Sequence, residues 1–223
     1  MRSLGPSMTF DAIAHDLKTP LAAALGHARM IAAENLSPAG RRRLAVIETQ
    51  IQRMSTLIDS YLLGGAVRSD IAVGHAGDVV LQVTREIEPL LQRAGVVLGL
   101  VVDHDVPPCR CAPEALHRVL VNVLRNAIDA SVSGGSIDCR VGAGAANEVF
   151  IEIRDNGSGI PPVVLERLFQ RGCTTKSAQG GHGLGLAISR ELLQHEGGNI
   201  RINSRPGEGT RVLITLKAAG VAA

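Results

Sequence analysis

The stretch Val149-Phe-Ile-Glu-Ile-Arg-Asp155-Asn-Gly157-Ser-Gly159-Ile160-Pro161 sets the reading of the whole chain. Val149 to Asp155 is a β-rich run and predicts a strand. Asp-x-Gly-x-Gly follows at once. Glycines without a Cβ let the backbone come close to a ligand, while one carboxylate accepts hydrogen bonds. An adenine exocyclic amine is one such donor. Asp-Asn-Gly is also plain turn chemistry, so an ordinary strand-to-loop turn stands beside that reading.

Outward from this segment the pattern alternates between helix and strand. Val79 to Arg93 predicts a helix and Val96 to Asp103 a strand that Pro107-Pro108 breaks. Pro113 to Ser131 predicts a helix, Ser136 to Val141 a strand, and Leu184 to Glu196 a helix closed by Gly197-Gly198. Ile200 to Ser204 and Thr210 to Leu216 form a last hairpin around Pro206-Gly207-Glu208-Gly209. The sum is an α+β domain, a two-layer α/β sandwich with a mixed sheet and helices on one face, spanning 78–218 before a short tail at 219–223.

The first third reads as helix. Leu44, Ile47, Ile51, Met54, Ile58 and Tyr61 step by 3, 4, 3, 4, 3, the heptad seam of a bundle or coiled coil. Phe10, Ile13, Leu17, Leu21 and Leu25 mark an earlier helix. Between them Ser37 suits an N-cap and Pro38 a first helical position. Residues 1–67 therefore predict a helical hairpin, with 68–77 as linker. Its apolar seams exceed what two helices cover, so two hairpins are expected to pair as a dimeric four-helix bundle.

Composition narrows the class. The 223 residues carry 23 Lys+Arg against 21 Asp+Glu, a net charge of +2, with no Trp, one Tyr and three Phe. Near-neutral charge and so few rings argue against a nucleic-acid binder. No apolar run approaches the ~20 residues of a membrane span. No signal peptide is visible, and MRSLGPSM reads as a loose leader, which suggests a gene product that starts further upstream. Cys109, Cys111, Cys139 and Cys173 lack zinc-site spacing and predict reduced thiols in a cytoplasmic protein.

Two further clusters carry chemistry. Asn122 and Asn126 lie four apart, on one face of the Pro113–Ser131 helix. A carboxamide oxygen is a hard ligand suited to Mg²⁺, which binds through few protein groups; a solvent-facing amide pair reads equally well from these residues alone. Gly180-Gly181-His182-Gly183-Leu184-Gly185 opens a helix, where freed N–H groups suit phosphates. Upstream, Thr174, Thr175 and Lys176 offer two hydroxyls and an ammonium within reach of a terminal phosphate.

In this order the segments resemble the nucleotide-binding domain of the sensor histidine kinases, within the wider group of chaperone, gyrase and mismatch-repair ATPases with the Bergerat-type ATP-binding fold. Asn122 to Ser131 is similar to the N box and Asp155 to Pro161 to the G1 box. Leu168-Phe169 with Thr174-Thr175-Lys176 is similar to the F box and lid, Gly181 to Leu186 to the G2 box, and Arg205 to Thr210 to the last turn of the domain. The resemblance covers 71–218. It implies ATP under a mobile lid, Mg²⁺ on Asn126, and Asp155 on the adenine amine with Thr210 nearby. Asn122, Asp129, Gly157, Gly159, Ile160, Thr174, Thr175, Lys176, Gly181, His182, Gly183, Leu184 and Gly185 complete the implied binding set. Asp129 stands where many relatives have Lys, which leaves Lys176 or Arg171 to pair the phosphates. Asn122 stands where hydrolytic relatives carry a general-base Glu, and an amide cannot take a proton from water.

Phe10-Asp-Ala-Ile-Ala-His15-Asp16-Leu-Lys-Thr19-Pro-Leu resembles the H box of the dimerisation and phosphotransfer domain. With Ile13, Leu17 and Leu21 facing inward, His15 points outward and Asp16 is placed to hold the imidazole N–H. An exposed histidine without function is the ordinary reading of such a residue; an attached ATP domain reverses it. The resemblance implies that His15 attacks the ATP γ-phosphorus, that Asp16 orients the ring, and that the phosphoryl group passes to an aspartate on a response-regulator receiver domain. It implies that Thr19 positions a water against the regulator's phospho-aspartate in a phosphatase reaction. The rivals are a phosphotransfer scaffold without kinase activity and an ATPase of the same fold. The implied partners are a second copy and the receiver, with a sensor or membrane anchor expected upstream. The implied location is cytoplasmic, including the cytoplasmic part of an inner-membrane protein.

Overall fold

A computed structural model describes residues 72–145, 147–170 and 185–220 throughout, with scattered positions from 20 to 54 ahead of them. The chain divides into two compact units; residues 1–68 fall in the first, and residues 69–175 and 183–223 make up the second.

In the first unit, the described residues between 20 and 31 and between 38 and 54 are helical. The Gly40 N–H donates to Ser37 Oγ at 3.1 Å, the capping bond expected of Ser37. The predicted seam divides in two. Leu44 and Ile51, one heptad apart, are buried, while Ile47 is 52% and Met54 45% exposed. Ile58 and Tyr61 lie outside the described residues.

The second unit begins with β1 (Val73–Gly74), α1 (Ala76–Ala94), β2 (Val97–Val102), β3 (Cys109–Arg110) and α2 (Pro113–Ala130). It continues with β4 (Ser136–Ala143), β5 (Glu148–Asp155), the short α3 (Pro162–Leu165), α4 (Gly185–His195), β6 (Asn199–Arg205) and β7 (Gly209–Lys217). Helix α1 buries Val79, Val80, Val83, Ile87 and Leu91, the three-four spacing of one apolar face. It stops at Gly95, whose φ of 67° lets Val96 N–H reach back to the Leu91 carbonyl. Helix α2 starts on Pro113, whose missing N–H is no loss in a first turn.

Five strands form one mixed sheet in the order β2-β4-β5-β7-β6, with β2 parallel to β4 and the other pairs antiparallel. Along β4, β5 and β7 burial alternates strictly over most of their length. The inner face carries Ile137, Cys139, Val141, Val149, Ile151, Ile153, Val212, Ile214 and Leu216, nearly all inaccessible to solvent. Helix α2 packs against α1, α4 and the inner face at β5 and β7. The outer face is polar, with Arg211 bonded to Glu152 at 2.6 Å and Arg140 to Asp103 at 3.1 Å. This is the two-layer α+β arrangement predicted.

Three stretches differ from the sequence reading. Within the expected linker 68–77, Val73 and Gly74 pair antiparallel with Arg110 and Cys109, and α1 already begins at Ala76. The expected tail at 219 is tied down by Ala219 N–H, which donates to the Pro108 carbonyl at 2.7 Å. Cys109 Sγ, fully buried, bonds the Gly74 carbonyl at 3.3 Å. Two-residue strands leave no periodicity to read.

Candidate nucleotide-binding site

The inner face of the sheet is built of cross-strand rows. One row reads Leu100, Cys139, Ile153, Val212, Ile202, and the next Val102, Val141, Ile151, Ile214, Ile200. Two residues in the other direction the row reads Leu98, Ile137, Asp155, Thr210, Ser204. At three adjacent strands the apolar phase ends in a carboxylate and two hydroxyls. Directly opposed residues hold their side chains ~5 Å apart, so these three are neighbours.

Asp155 is 5% exposed. Its Oδ1 accepts Gly157 N–H at 2.9 Å and Thr210 N–H at 3.2 Å. Two backbone donors on one oxygen fix the rotation of the carboxylate and stabilise its charge. Thr210, 8% exposed, bonds Ser204 Oγ through Oγ1 at 3.0 Å. Ser204 Oγ also donates to the Gly209 carbonyl at 2.8 Å and accepts Ile160 N–H at 2.8 Å.

The glycines hold the loop against its neighbours. A Cβ at Gly157 would overlap the Ala130 carbonyl at the end of α2, to which Ser158 N–H donates at 3.0 Å. Gly159 has φ of 69°, and a Cβ there would overlap the Arg205 carbonyl. Gly207 N–H closes the contact on Ser158 O at 2.8 Å. The Asp-x-Gly-x-Gly segment is thus pinned between the end of α2 and the β6–β7 turn, and Ile160 is pinned to β6.

Asn122 and Asn126 are both half-buried on α2, but their circumstances differ. Asn122 Nδ2 donates to Ser189 Oγ at 3.0 Å, and its Oδ1 lies so near Gly185 that any side chain there would collide. Asn122 therefore fastens α2 to the first turn of α4. Asn126, one turn on, makes no side-chain hydrogen bond among the described residues. Asp129 is exposed and lines a groove of about 220 Å³ with Leu90, Arg93, Ala94, Arg125 and Ile128. None of the Asp155 row lines that groove.

His15, Asp16, Thr19, Thr174, Thr175, Lys176, Gly181, His182, Gly183 and Leu184 lie outside the described residues. The Arg190 guanidinium lies over the Phe169 ring, 4.7 Å from its centroid. Among the described residues no three His, Cys, Asp or Glu side chains gather to hold a metal. Mg²⁺ keeps several waters and takes few protein ligands, so a single carboxamide is a chemically suitable protein ligand for it. No helix among the described residues is long and apolar enough to cross a membrane.

Ser204 and Ser189 were not singled out by motif. Each leaves a signal all the same. Ser204 continues the 200–202–204 apolar phase of β6, and Ser189, 2% exposed, sits on the buried face of α4. A polar residue on an apolar phase needs a buried partner.

A two-layer sandwich whose strand ends carry an acid–glycine loop, beside a helix that presents an amide, defines an ATP-binding domain of the histidine kinase, gyrase and chaperone class. Residues 111–220 match the family described as "Histidine kinase-, DNA gyrase B-, and HSP90-like ATPase", and residues 7–63 match "His Kinase A (phospho-acceptor) domain". The chain belongs to the sensor histidine kinases. It is 30% identical to sporulation kinase E of Bacillus subtilis (strain 168) over 92% of this chain and 27% of that protein. It is 30% identical to the sensory histidine kinase/phosphatase NtrB of Salmonella typhimurium over 87% of this chain and 58% of that protein. Among solved structures, full-length ShkA in complex with AMPPNP shares the fold, with a TM-score of 0.69 at 24% identity over 96% of this chain and 46% of that one. The chain thus spans between a quarter and three fifths of the length of these relatives.

Proposed function

We propose that this chain is an ATP-dependent protein-histidine kinase that phosphorylates its own His15 and passes the phosphoryl group to an aspartate of a response-regulator receiver domain. The observation that carries the reading is the polar row. Asp155 is rigidly oriented at the mouth of a glycine loop, in a chain that also has a phospho-acceptor domain. The Asp155 carboxylate takes the adenine amine, and the aliphatic row beneath it supports the base without a stacking ring. The glycine-rich segment Gly181 to Gly185 that leads into α4 and the pair Thr174-Thr175 with Lys176 take the phosphates. Asn126 would hold Mg²⁺, which when bound supplies positive charge against the phosphate oxygens.

In the reaction, the neutral ring nitrogen of His15 bonds to the γ-phosphorus as the γ-phosphorus–oxygen bond to ADP breaks, and Asp16 holds the opposite N–H and takes its proton. Asn122 offers no base for water, and its amide is already held by Ser189. That favours transfer to protein over hydrolysis. The exposed half-seam of Ile47 and Met54 supports pairing of two hairpins, because a second copy would cover it. Thr19 is assigned to positioning a water that hydrolyses the regulator's phospho-aspartate to aspartate and phosphate, in the phosphatase activity that is the second named for the NtrB relative.

Incubation with γ-labelled ATP and Mg²⁺ tests this. Acid-labile, base-stable label on the protein, absent from His15→Ala, is the expected result. Free phosphate with no labelled protein would show an ATPase instead. Thr19→Ala should keep autophosphorylation and slow dephosphorylation of the regulator.

A further inference from the structure

Hydroxyl bookkeeping along the polar row fixes the direction of each proton. A serine hydroxyl has one proton to give and two lone pairs to accept with. Ser204 Oγ lies 2.8 Å from the Gly209 carbonyl oxygen, which can only accept, so the Ser204 proton is committed there. One lone pair takes Ile160 N–H at 2.8 Å. The remaining contact, Thr210 Oγ1 at 3.0 Å, must then have Thr210 as the donor. Ser204 is saturated, and the single hydroxyl proton of Thr210 is spent. Toward any other group Thr210 Oγ1 acts as an acceptor. The Thr210 N–H is spent as well, on Asp155 Oδ1 at 3.2 Å.

We infer that Ser204 is a positioning residue for base selection. It holds the Thr210 hydroxyl in the accepting sense, so that two neighbouring strand ends present acceptors side by side. A 6-aminopurine brings the two N–H groups of its amine to that edge, one for each acceptor; a 6-oxopurine brings a carbonyl oxygen to the same position, and its one N–H on that side lies on the neighbouring ring nitrogen N1. Without Ser204 the Thr210 hydroxyl is released to rotate and donate, and the bias weakens. This rests on the adenine-nucleotide reading above and goes one shell beyond it. Motif reading assigns Asp155 and Thr210 to the base, and the hydrogen-bond pattern adds the residue that decides what Thr210 can say to it.

The test is the ratio of dissociation constants for ATP and inosine triphosphate, which has an oxygen in place of the amine. It is measured by direct binding to the full chain with Mg²⁺. Ser204→Ala should weaken ATP and narrow the ratio by roughly five- to tenfold, the worth of one hydrogen bond turned round. Ser204→Thr, which keeps the hydroxyl on a strand-compatible side chain, should restore it. A purely structural Ser204 would weaken both nucleotides equally and leave the ratio unchanged, which overturns the inference. Thr210→Val guards against a Ser204→Ala chain that does not fold. Removing the acceptor should cost ATP affinity, spare inosine triphosphate and narrow the ratio; an unchanged ratio there overturns the inference too. A wild-type preference for ATP that Ser204→Ala leaves intact overturns this inference alone, whereas a wild-type chain that binds ATP tightly with no preference over inosine triphosphate overturns the Asp155–amine assignment and this inference together. A wild-type chain that binds neither nucleotide overturns the adenine-nucleotide reading and this inference with it.

Discussion

Two rows of the same sheet, two residues apart along every strand, behave as different materials. Ile153, Val212 and Ile202 form one; Asp155, Thr210 and Ser204 form the other. Backbone ladder and inward direction are shared. What differs is how each side chain satisfies itself. The aliphatic row needs only to exclude water, and its stabilisation grows with the area buried. The polar row must find partners for the donors it buries, and does so through Asp155, Ser204 and Gly209, while acceptor capacity on Asp155 and Thr210 is left for a ligand. The sheet therefore separates stability from recognition along its strands, and substitutions in the two rows should fail in different assays.

The sharpest break is at Asp155. Asp155→Asn keeps an oxygen for Gly157 and Thr210 N–H but puts a donor where the ligand amine donates. Nucleotide affinity should fall about ten-thousandfold, the scale on which a polar site rejects a ligand it cannot pair. The melting temperature should move little. If affinity and melting fall together, Asp155 belongs with the structural rows and the division does not hold.

The mirror experiment is Ile151→Ala, four strand positions from Asp155 and fully buried. Loss of three carbons and the cavity left behind should cost about 3 kcal/mol in denaturant unfolding. The folded fraction should bind ATP as before. Gly159→Ala tests the loop that follows Asp155. Its φ of 69° and the Arg205 carbonyl beside it both oppose a Cβ, so about 2 kcal/mol of strain is expected, with weaker nucleotide binding as the loop shifts. Unchanged binding in Gly159→Ala would mean that the loop does not set the position of Asp155.

How much of this was legible beforehand follows the same division. Strands such as Glu148–Asp155 and helices such as Pro113–Ala130 are long enough for periodicity and caps to declare them. Asp155, Gly157 and Gly159 were legible because acid and glycine at that spacing are rarely core residues. Ser204 and Ser189 were not, since serine is common and its meaning lies in the phase it interrupts. Asp129 was grouped with the nucleotide residues by its place in a motif, yet it lines a groove with Arg93 and Arg125, which only the packing of α1 on α2 could reveal. Val73–Gly74 escaped because its partner, Cys109–Arg110, is distant in sequence and equally short.

The smallest effect concerns Cys139, which sits in the aliphatic row beside Ile153, one row from Asp155. Burial alone pushes its thiol up to about 12, and burial also raises Cys109 and Cys111. A raised folded value means that the folded chain holds the proton after the unfolded chain has lost it. Below the ordinary value of 9.0 both states are protonated and pH has no leverage through this group. Between about 9 and about 12 the unfolded state binds fewer protons, so stability falls as pH rises through that window. At pH 8 the native chain should resist iodoacetamide at these three thiols and react at them once denatured, read by mass spectrometry of the labelled peptides. Rapid native labelling of Cys139 would mean that water reaches the row next to Asp155. The aliphatic and polar rows would then differ in side chain but not in solvent, and the separation of stability from recognition would have no physical basis.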